Sequence, residues 1–366
     1  MSDILSVIGA RPQFVKAAAV SRALMRAGLK EDILHTGQHY DDAMSGAFLR
    51  DLGIDGIVKN LDAGSGNHAE QTSRMMVGIA QHIEAMPVPP KVLLLFGDTN
   101  STIAGAIVAS KIGLPIAHVE AGLRSYNRAM PEELNRIVTD HLSDVLLVTE
   151  PSGLVNLERE GIADDKVFHV GNCMVDSLVT HREAAIAKAP WADLDLTPGS
   201  YALATLHRPS NVDDEAVLGP MLEALSELSG SLPVVFPVHP RTRAKIEGMQ
   251  LSLADSFRLI EPAPYLTFLG LMAKAKLLIT DSGGIQEETT ALGVPCITLR
   301  PNTERPVTID EGTNELVAPE PGPMKEAFGR AARGEWKTGT VPQFWDGKAA
   351  ERTAEVLERW HASRAG

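Results

Sequence analysis

The chain has 366 residues, roughly two to three domain lengths at ~150 residues each, and 44% hydrophobic with 22% charged residues excludes a disordered chain. Lys and Arg number 34 against 47 Asp and Glu, a net charge of −13. That argues against broad binding to nucleic acid or to an anionic membrane, though not against a small local anion site.

The first strand is Ile4–Ile8, and its start lacks the basic region of a signal peptide. It leads into Gly9-Ala10-Arg11-Pro12-Gln13-Phe14-Val15-Lys16 and a helix over 13–26, stopped at Gly28. A glycine turn that opens a helix aims backbone N–H groups, here with Arg11 and Lys16, at one point. An anion fits there; a turn with two solvated cations is the plainer alternative. Gly64-Ser65-Gly66-Asn67-His68-Ala69 spells G-x-G-x-x-A but follows a poor strand and is not the first strand–helix turn, so a dinucleotide site is rejected. Val92–Phe96 runs into Gly97-Asp98-Thr99-Asn100-Ser101 and a helix over 99–111. Asp98 thus stands at a strand's carboxyl end, where it suits either chemistry or helix capping. Ile116-Ala117-His118-Val119-Glu120-Ala121-Gly122-Leu123-Arg124 is a second such strand end. A carboxylate there needs a partner or a raised pKa, as a general acid or base does; a buried Glu120–Arg124 pair is the bland alternative. Met130-Pro131-Glu132-Glu133-Leu134-Asn135-Arg136 opens a helix with Pro in its first turn and acids complementing its dipole. Glu132, Arg136 and Asp140 share one face of it. Val145–Val148 follows, with a helix ending at Gly161.

In the second half, strands are expected at 201–206, 234–238, Leu277–Thr280 and Cys296–Leu299, with helices near 214–229, 267–275 and 285–292. Leu206-His207-Arg208-Pro209 and Val238-His239-Pro240-Arg241 place His and Arg pairs after consecutive strands, which suggests an anionic ligand. Asp281-Ser282-Gly283-Gly284 opens a helix whose free N–H groups suit a diphosphate, and Glu288, one turn in, suits ribose hydroxyls. Thr303-Glu304-Arg305-Pro306 adds a cation.

Strand–helix alternation in both halves predicts an α/β protein of two Rossmann-like doubly wound domains facing a cleft. Residues 1–177 would form the first and 178–348 the second, before a linker-like stretch at 184–200 containing Pro190, Pro198 and Gly199. The final helix, 349–366, belongs with the first domain by the resemblance described next. Cys173 and Cys296 lie too far apart to suggest a disulfide framework or a zinc site, and a cytoplasmic location with no membrane partner is expected.

These motifs, in this order, resemble the non-hydrolysing UDP-N-acetylglucosamine 2-epimerases, whose fold is like that of two-domain GT-B glycosyltransferases. They include Ala-Arg-Pro-Gln-Phe-Val-Lys, Phe-Gly-Asp-Thr, His-Val-Glu-Ala-Gly-Leu-Arg, Pro-Glu-Glu-Leu-Asn-Arg, Leu-His-Arg and Thr-Asp-Ser-Gly-Gly-Ile-Gln-Glu-Glu, and the likeness spans about residues 8–317. The resemblance implies Asp98, Glu120 and Glu132 as acid/base groups with His207 near the sugar. It implies Arg11, Lys16 and Arg136 at the sugar-phosphate end, and His239, Ser282, Gly283, Gly284, Glu288 and Arg305 on the UDP portion. It further implies a homodimer, a role in cell-surface polysaccharide synthesis, and a final helix packed back on the first domain. Gln13, Met130 and Pro209-Ser210-Asn211 depart from the common pattern toward the UDP-2,3-diacetamido-2,3-dideoxy-glucuronate branch. Some members bind a second substrate molecule; Gln38, His39 and Arg74 match that pattern, but Asp41 replaces a Gln, so activation by substrate is not expected.

The implied reaction eliminates UDP to a 2-acetamidoglucal and adds it back with C2 inverted. It needs no metal and no cofactor, because Arg, His and backbone donors bear the leaving group's charge. The rivals are a hydrolysing epimerase releasing N-acetylmannosamine and UDP, a GT-B glycosyltransferase, and a nucleotide-sugar sensor without turnover.

Overall fold

The computed structural model describes residues 3–37, 52–54, 57–64, 66–238 and 240–364. The chain divides into two compact units, one formed by residues up to Ser177 together with those from Gln343 onward, the other by Leu178–Pro342.

The first unit carries seven strands: β1 (Ile4–Ile8), β2 (Glu31–His35), β3 (Ile57–Asn60), β4 (Val92–Phe96), β5 (Ile116–Ala121), β6 (Val145–Val148) and β7 (Val167–His169). They run in the order β3-β2-β1-β4-β5-β6-β7, and every pairing is parallel. β1, β4 and β6 are buried throughout, as strands covered by helices on both faces must be. Leu5, Val7, Leu93 and Leu95 pack with Met75 and Ile79 of the helix His68–Ala85 into one core. The second unit carries β8 (Ala202–Thr205), β9 (Val234–Pro237), β10 (Phe257–Ile260), β11 (Leu277–Thr280), β12 (Cys296–Leu299) and β13 (Asn314–Val317). Their order is β10-β9-β8-β11-β12-β13, again parallel. Its core joins Ala202, Ala204, Phe236, Leu277 and Ile279 to Leu218, Leu222 and Phe328.

Both orders reverse direction once, between β1 and β4 and between β8 and β11. In open α/β sheets the crevice outside the carboxyl ends at such a reversal is where ligands bind. The topology therefore singles out Gly9 to Gln13 and Gly97-Asp98 in one unit, and His207-Arg208 and Asp281 to Gly283 in the other.

Five strands, β2, β3, β7, β10 and β13, carry no continuous apolar signal in the sequence. Four of them are sheet edges and the fifth adjoins one; their residues are partly exposed and mixed in polarity. The rejected glycine segment caps a helix, with the Asn67 side chain accepting from Glu70 N–H at 3.0 Å.

The boundary between units falls between Ser177 and Leu178, inside the helix Cys173–Ala187 and ahead of the stretch 184–200. The return to the first unit starts at Gln343, six residues before the helix expected to begin it. Trp345 donates from Nε1 to the Thr149 carbonyl at 3.0 Å. Phe344 lies so close over Gly171 (φ +91°) that an added Cβ would sit 2.0 Å from the Phe344 carbonyl oxygen. The Asp176 carboxylate then accepts from the N–H groups of Ala349 (3.1 Å) and Ala350 (2.6 Å), capping the helix Ala349–Arg364, which packs on the helix Arg11–Arg26. Cys173 and Cys296 are both buried and free.

Candidate active site

At the β1–β4 reversal one side chain joins the two strand ends. Gln13 Oε1 accepts from the N–H groups of Gly9 (2.8 Å) and Ala10 (3.0 Å), while Nε2 donates to the Phe96 carbonyl (2.7 Å) and to Thr102 Oγ1 (3.1 Å). This corrects the expectation for the first loop. Two of the N–H groups thought to face an anion are satisfied by Gln13, and Lys16, also expected to meet that anion, is buried in an ion pair with Glu120.

Glu120 occupies a bulge. The β5–β6 register shifts between Val119 and Ala121, and Glu120 has φ +75°, a conformation uncommon for a residue with a side chain. Strain of that kind collects at functional sites. Gly97, also left-handed at φ +63°, leaves room for it: an added Cβ would come 3.0 Å from Glu120 Oε2. Asp98 follows directly. Its carboxylate takes a hydrogen bond from Arg136, the largest of the fully buried side chains, and its carbonyl accepts from Asn135 Nδ2 at 2.9 Å. The bland Glu120–Arg124 pair is not formed. Arg124 instead makes a bidentate contact with Glu160 (2.8 and 2.7 Å) and meets Asp140 at 2.7 Å.

On the helix Pro131–Leu142, Arg136 and Asp140 are buried, whereas Glu132 is half-buried and meets no partner among the described residues. Its neighbour Glu133 is the structural carboxylate. It accepts from Ser125 N–H (2.7 Å), Ser125 Oγ (3.0 Å) and Tyr126 N–H (3.0 Å), fixing the loop ahead of its own helix.

The β8–β11 reversal is organised by Asp281, which the sequence shows only as the first residue of the glycine loop. It is fully buried and accepts from the N–H groups of His207 (3.1 Å) and Arg208 (2.9 Å) and from Asn211 Nδ2 (3.0 Å). His207 Nδ1 lies 2.8 Å from it, with 60% of the His207 side chain exposed. Burial alone would raise the Asp281 carboxyl; the His207 contact and the other donors outweigh burial and hold it below its ordinary value. The missed signal was an acid directly after an apolar strand, opposite the His-Arg pair of the adjoining strand.

Ser282 stands at the N-cap position of the helix Gly283–Leu292, with no capping hydrogen bond from its side chain. A Cβ on Gly283 would lie 2.5 Å from Arg305 Nη1, so this glycine makes room first for Arg305. Arg305 is buried between Glu287 (2.7 Å) and Glu304. Glu288 is buried, accepts from the Tyr265 hydroxyl at 3.1 Å, and is pushed by burial up to about 8 against the opposing effect of that hydrogen bond. His239, Gln38, His39 and Asp41 lie outside the described residues. Arg74 donates to the Ala63 carbonyl at 2.7 Å. Among the described residues, no helix is long and apolar enough to cross a membrane.

Two Rossmann-like units, each built on a parallel sheet with charged residues gathered at its reversal, define a protein of the GT-B structural class. A family model described as UDP-N-acetylglucosamine 2-epimerase matches residues 22–358, and the chain belongs to that family of isomerases. It is 41% identical to a UDP-2,3-diacetamido-2,3-dideoxy-D-glucuronate 2-epimerase of Pseudomonas aeruginosa, over 97% of this chain and 99% of that one. It is 38% identical to the UDP-GlcNAc 2-epimerase of Methanocaldococcus jannaschii, whose crystal structure in complex with UDP-GlcNAc and UDP superposes with a TM-score of 0.88 over 97% of this chain and 99% of that one. The Neisseria meningitidis UDP-GlcNAc 2-epimerase bound to UDP-GlcNAc, 30% identical, gives the same TM-score and coverage.

Proposed function

We propose that the chain inverts C2 of a UDP-N-acetylhexosamine, interconverting UDP-N-acetylglucosamine and its manno epimer. The C2 hydrogen of the intact sugar is not acidic. As the C1–O bond breaks, positive character at C1 acidifies it. A carboxylate takes the proton, the C–H pair becomes the C1–C2 double bond, and UDP leaves with the C1–O pair. UDP then adds back to C1 while C2 is protonated on the opposite face. Two proton-transfer groups are required, and Asp98, Glu120 and Glu132 supply the carboxyls. Arg136 and Lys16 hold the first two. In the second unit, His207, the start of the helix Gly283–Leu292 with Ser282, Gly283 and Gly284, and Arg305 and His239 bear the diphosphate charge, while Glu288 takes the ribose.

The observation that carries this reading is the pair Asp98 and Glu120, two carboxylates at neighbouring strand ends of a sheet reversal, each against a buried cation. Proton NMR of the purified protein with UDP-N-acetylglucosamine tests it: the manno epimer should appear, bound to UDP and in equilibrium with substrate. Free N-acetylmannosamine would instead mark a hydrolase, and binding without turnover a sensor. The 41% identity to the Pseudomonas enzyme supports a second reading, in which the substrate is the 2,3-diacetamido uronate. Turnover of that sugar alone in the same assay would select it. We also assign the active form as a cytoplasmic homodimer; Leu134 and Val138, one turn apart and exposed on the helix Pro131–Leu142, support a face that a second copy covers, and light scattering reads the mass.

A further inference from the structure

One buried side chain stands behind both Asp98 and Glu120 without belonging to either. His118 lies in β5 with no exposed surface. Its Nδ1 is 2.7 Å from Asp140 Oδ1 and its Nε2 is 2.7 Å from the Gly97 carbonyl oxygen. A carboxylate and a backbone carbonyl are both acceptors. A neutral imidazole would turn a lone pair toward one of them at contact distance, where no water intervenes. We infer that His118 is held as an imidazolium by Asp140, and that this buried cation is the positioning residue that sets both Asp98 and Glu120.

Two further observations support the charge. Asp140 does not supply the missing proton, because its second oxygen receives the Arg124 guanidinium (2.7 Å) and the Gly122 N–H (3.0 Å). Burial would raise this carboxyl, yet the His118 and Arg124 contacts outweigh it and hold it below its ordinary value. Glu160, which shares Arg124 with Asp140, lies at the solvent edge with 26% of its side chain exposed, and half-exposed His141 stands 3.4 Å from it.

The positioning follows from connectivity. Gly97 is pinned to β5 at both ends, its N–H to the Val119 carbonyl (3.0 Å) and its carbonyl to His118, in the left-handed conformation that points the chain into Asp98. Asp140 grips β5 on both sides of the bulge, through the His118 ring before Glu120 and the Gly122 N–H after it. The left-handed Glu120 is thereby fixed between two anchored residues.

This inference rests on Asp98 and Glu120 being the proton-transfer groups, and its test separates the two ideas. Neutron diffraction of the intact protein in D₂O places deuterons directly, with no variant needed. Deuterons on both His118 nitrogens with a bare Asp140 are expected; one bare nitrogen, or a deuteron on Asp140, overturns the inference. His118→Asn should lower kcat on the order of 10²-fold with KM and UDP affinity unchanged, the scale for small displacements of reacting groups. An unchanged kcat, or KM rising in step with the loss, contradicts it. Were Asp98→Asn and Glu120→Gln to keep full turnover, the proposed chemistry would fall; were they inactive while His118 carried one deuteron, only the present inference would.

Discussion

The two sheet reversals have the same topology and opposite polarity. In the first unit a carboxylate faces outward and a buried cation stands behind it: the Asp98 side chain is 23% exposed, its partner Arg136 1%. In the second unit the cation faces outward and the buried group is the acid: His207 is 60% exposed, Asp281 not at all. Arg305 differs from His207 in being buried with its acids, Glu287 and Glu304. One arrangement suits moving a proton and the other suits binding a diphosphate. Fold alone therefore says where each site is, and only the order of charges, inside to outside, says what it does.

The sharpest way to break this comparison is to neutralise the charged groups of one unit at a time. Asp98→Asn and Glu120→Gln should each lower turnover by about 10² or more while leaving UDP affinity by calorimetry unchanged. Loss of UDP binding in these variants would erase the division of labour. In the second unit the buried acid is the weak point. Asp281→Asn turns an amide toward N–H donors and should cost about 1–3 kcal/mol of stability, read by urea titration, with weaker UDP binding beside it. Gly283→Ala pushes a methyl into Arg305 and should weaken UDP binding by roughly the 1–3 kcal/mol of an overpacked site. Adding Arg305→Ala should remove most of that clash, so the double variant should bind no worse than Arg305→Ala alone.

The smallest effect concerns Glu288. Burial keeps its proton on up to about pH 8, whereas the unfolded chain releases it near 4.5. The folded state then holds the extra proton between those values, and stability falls as pH rises across them. Glu288→Gln should flatten that slope, raising Tm relative to the parent near pH 8 and leaving it little changed below about pH 5. Ribose hydroxyls favour the ionised carboxylate, so UDP binding should release a proton, detected as a dependence of binding heat on the buffer.

Much of this was readable in the chain. The fully buried strands announce themselves as apolar runs, and the residues just after them, Asp98, Glu120, His207 and Ser282, are the ones the topology brings to the reversals. The edge strands were not readable, because partly exposed segments such as Ile57–Asn60 mix polar and apolar residues without a clean period. Pairings across the sequence were also hidden. Lys16 reads as a partner for phosphate and turns inward to Glu120; Asp281 reads as part of a glycine loop and is the anchor of His207. Glu132 and Glu133 look alike in a first helical turn, yet only the second folds back onto backbone donors. Such choices depend on which neighbouring strand lies alongside.

The account's central claim is that C2 loses its hydrogen while the C1–O bond is open. Running the reaction in D₂O, with ¹⁸O in the bridging position of the UDP-sugar, tests both halves at once. Deuterium should enter C2 of the product epimer, and the ¹⁸O should scramble into non-bridging phosphate positions. An epimerised product without deuterium at C2 would contradict the account.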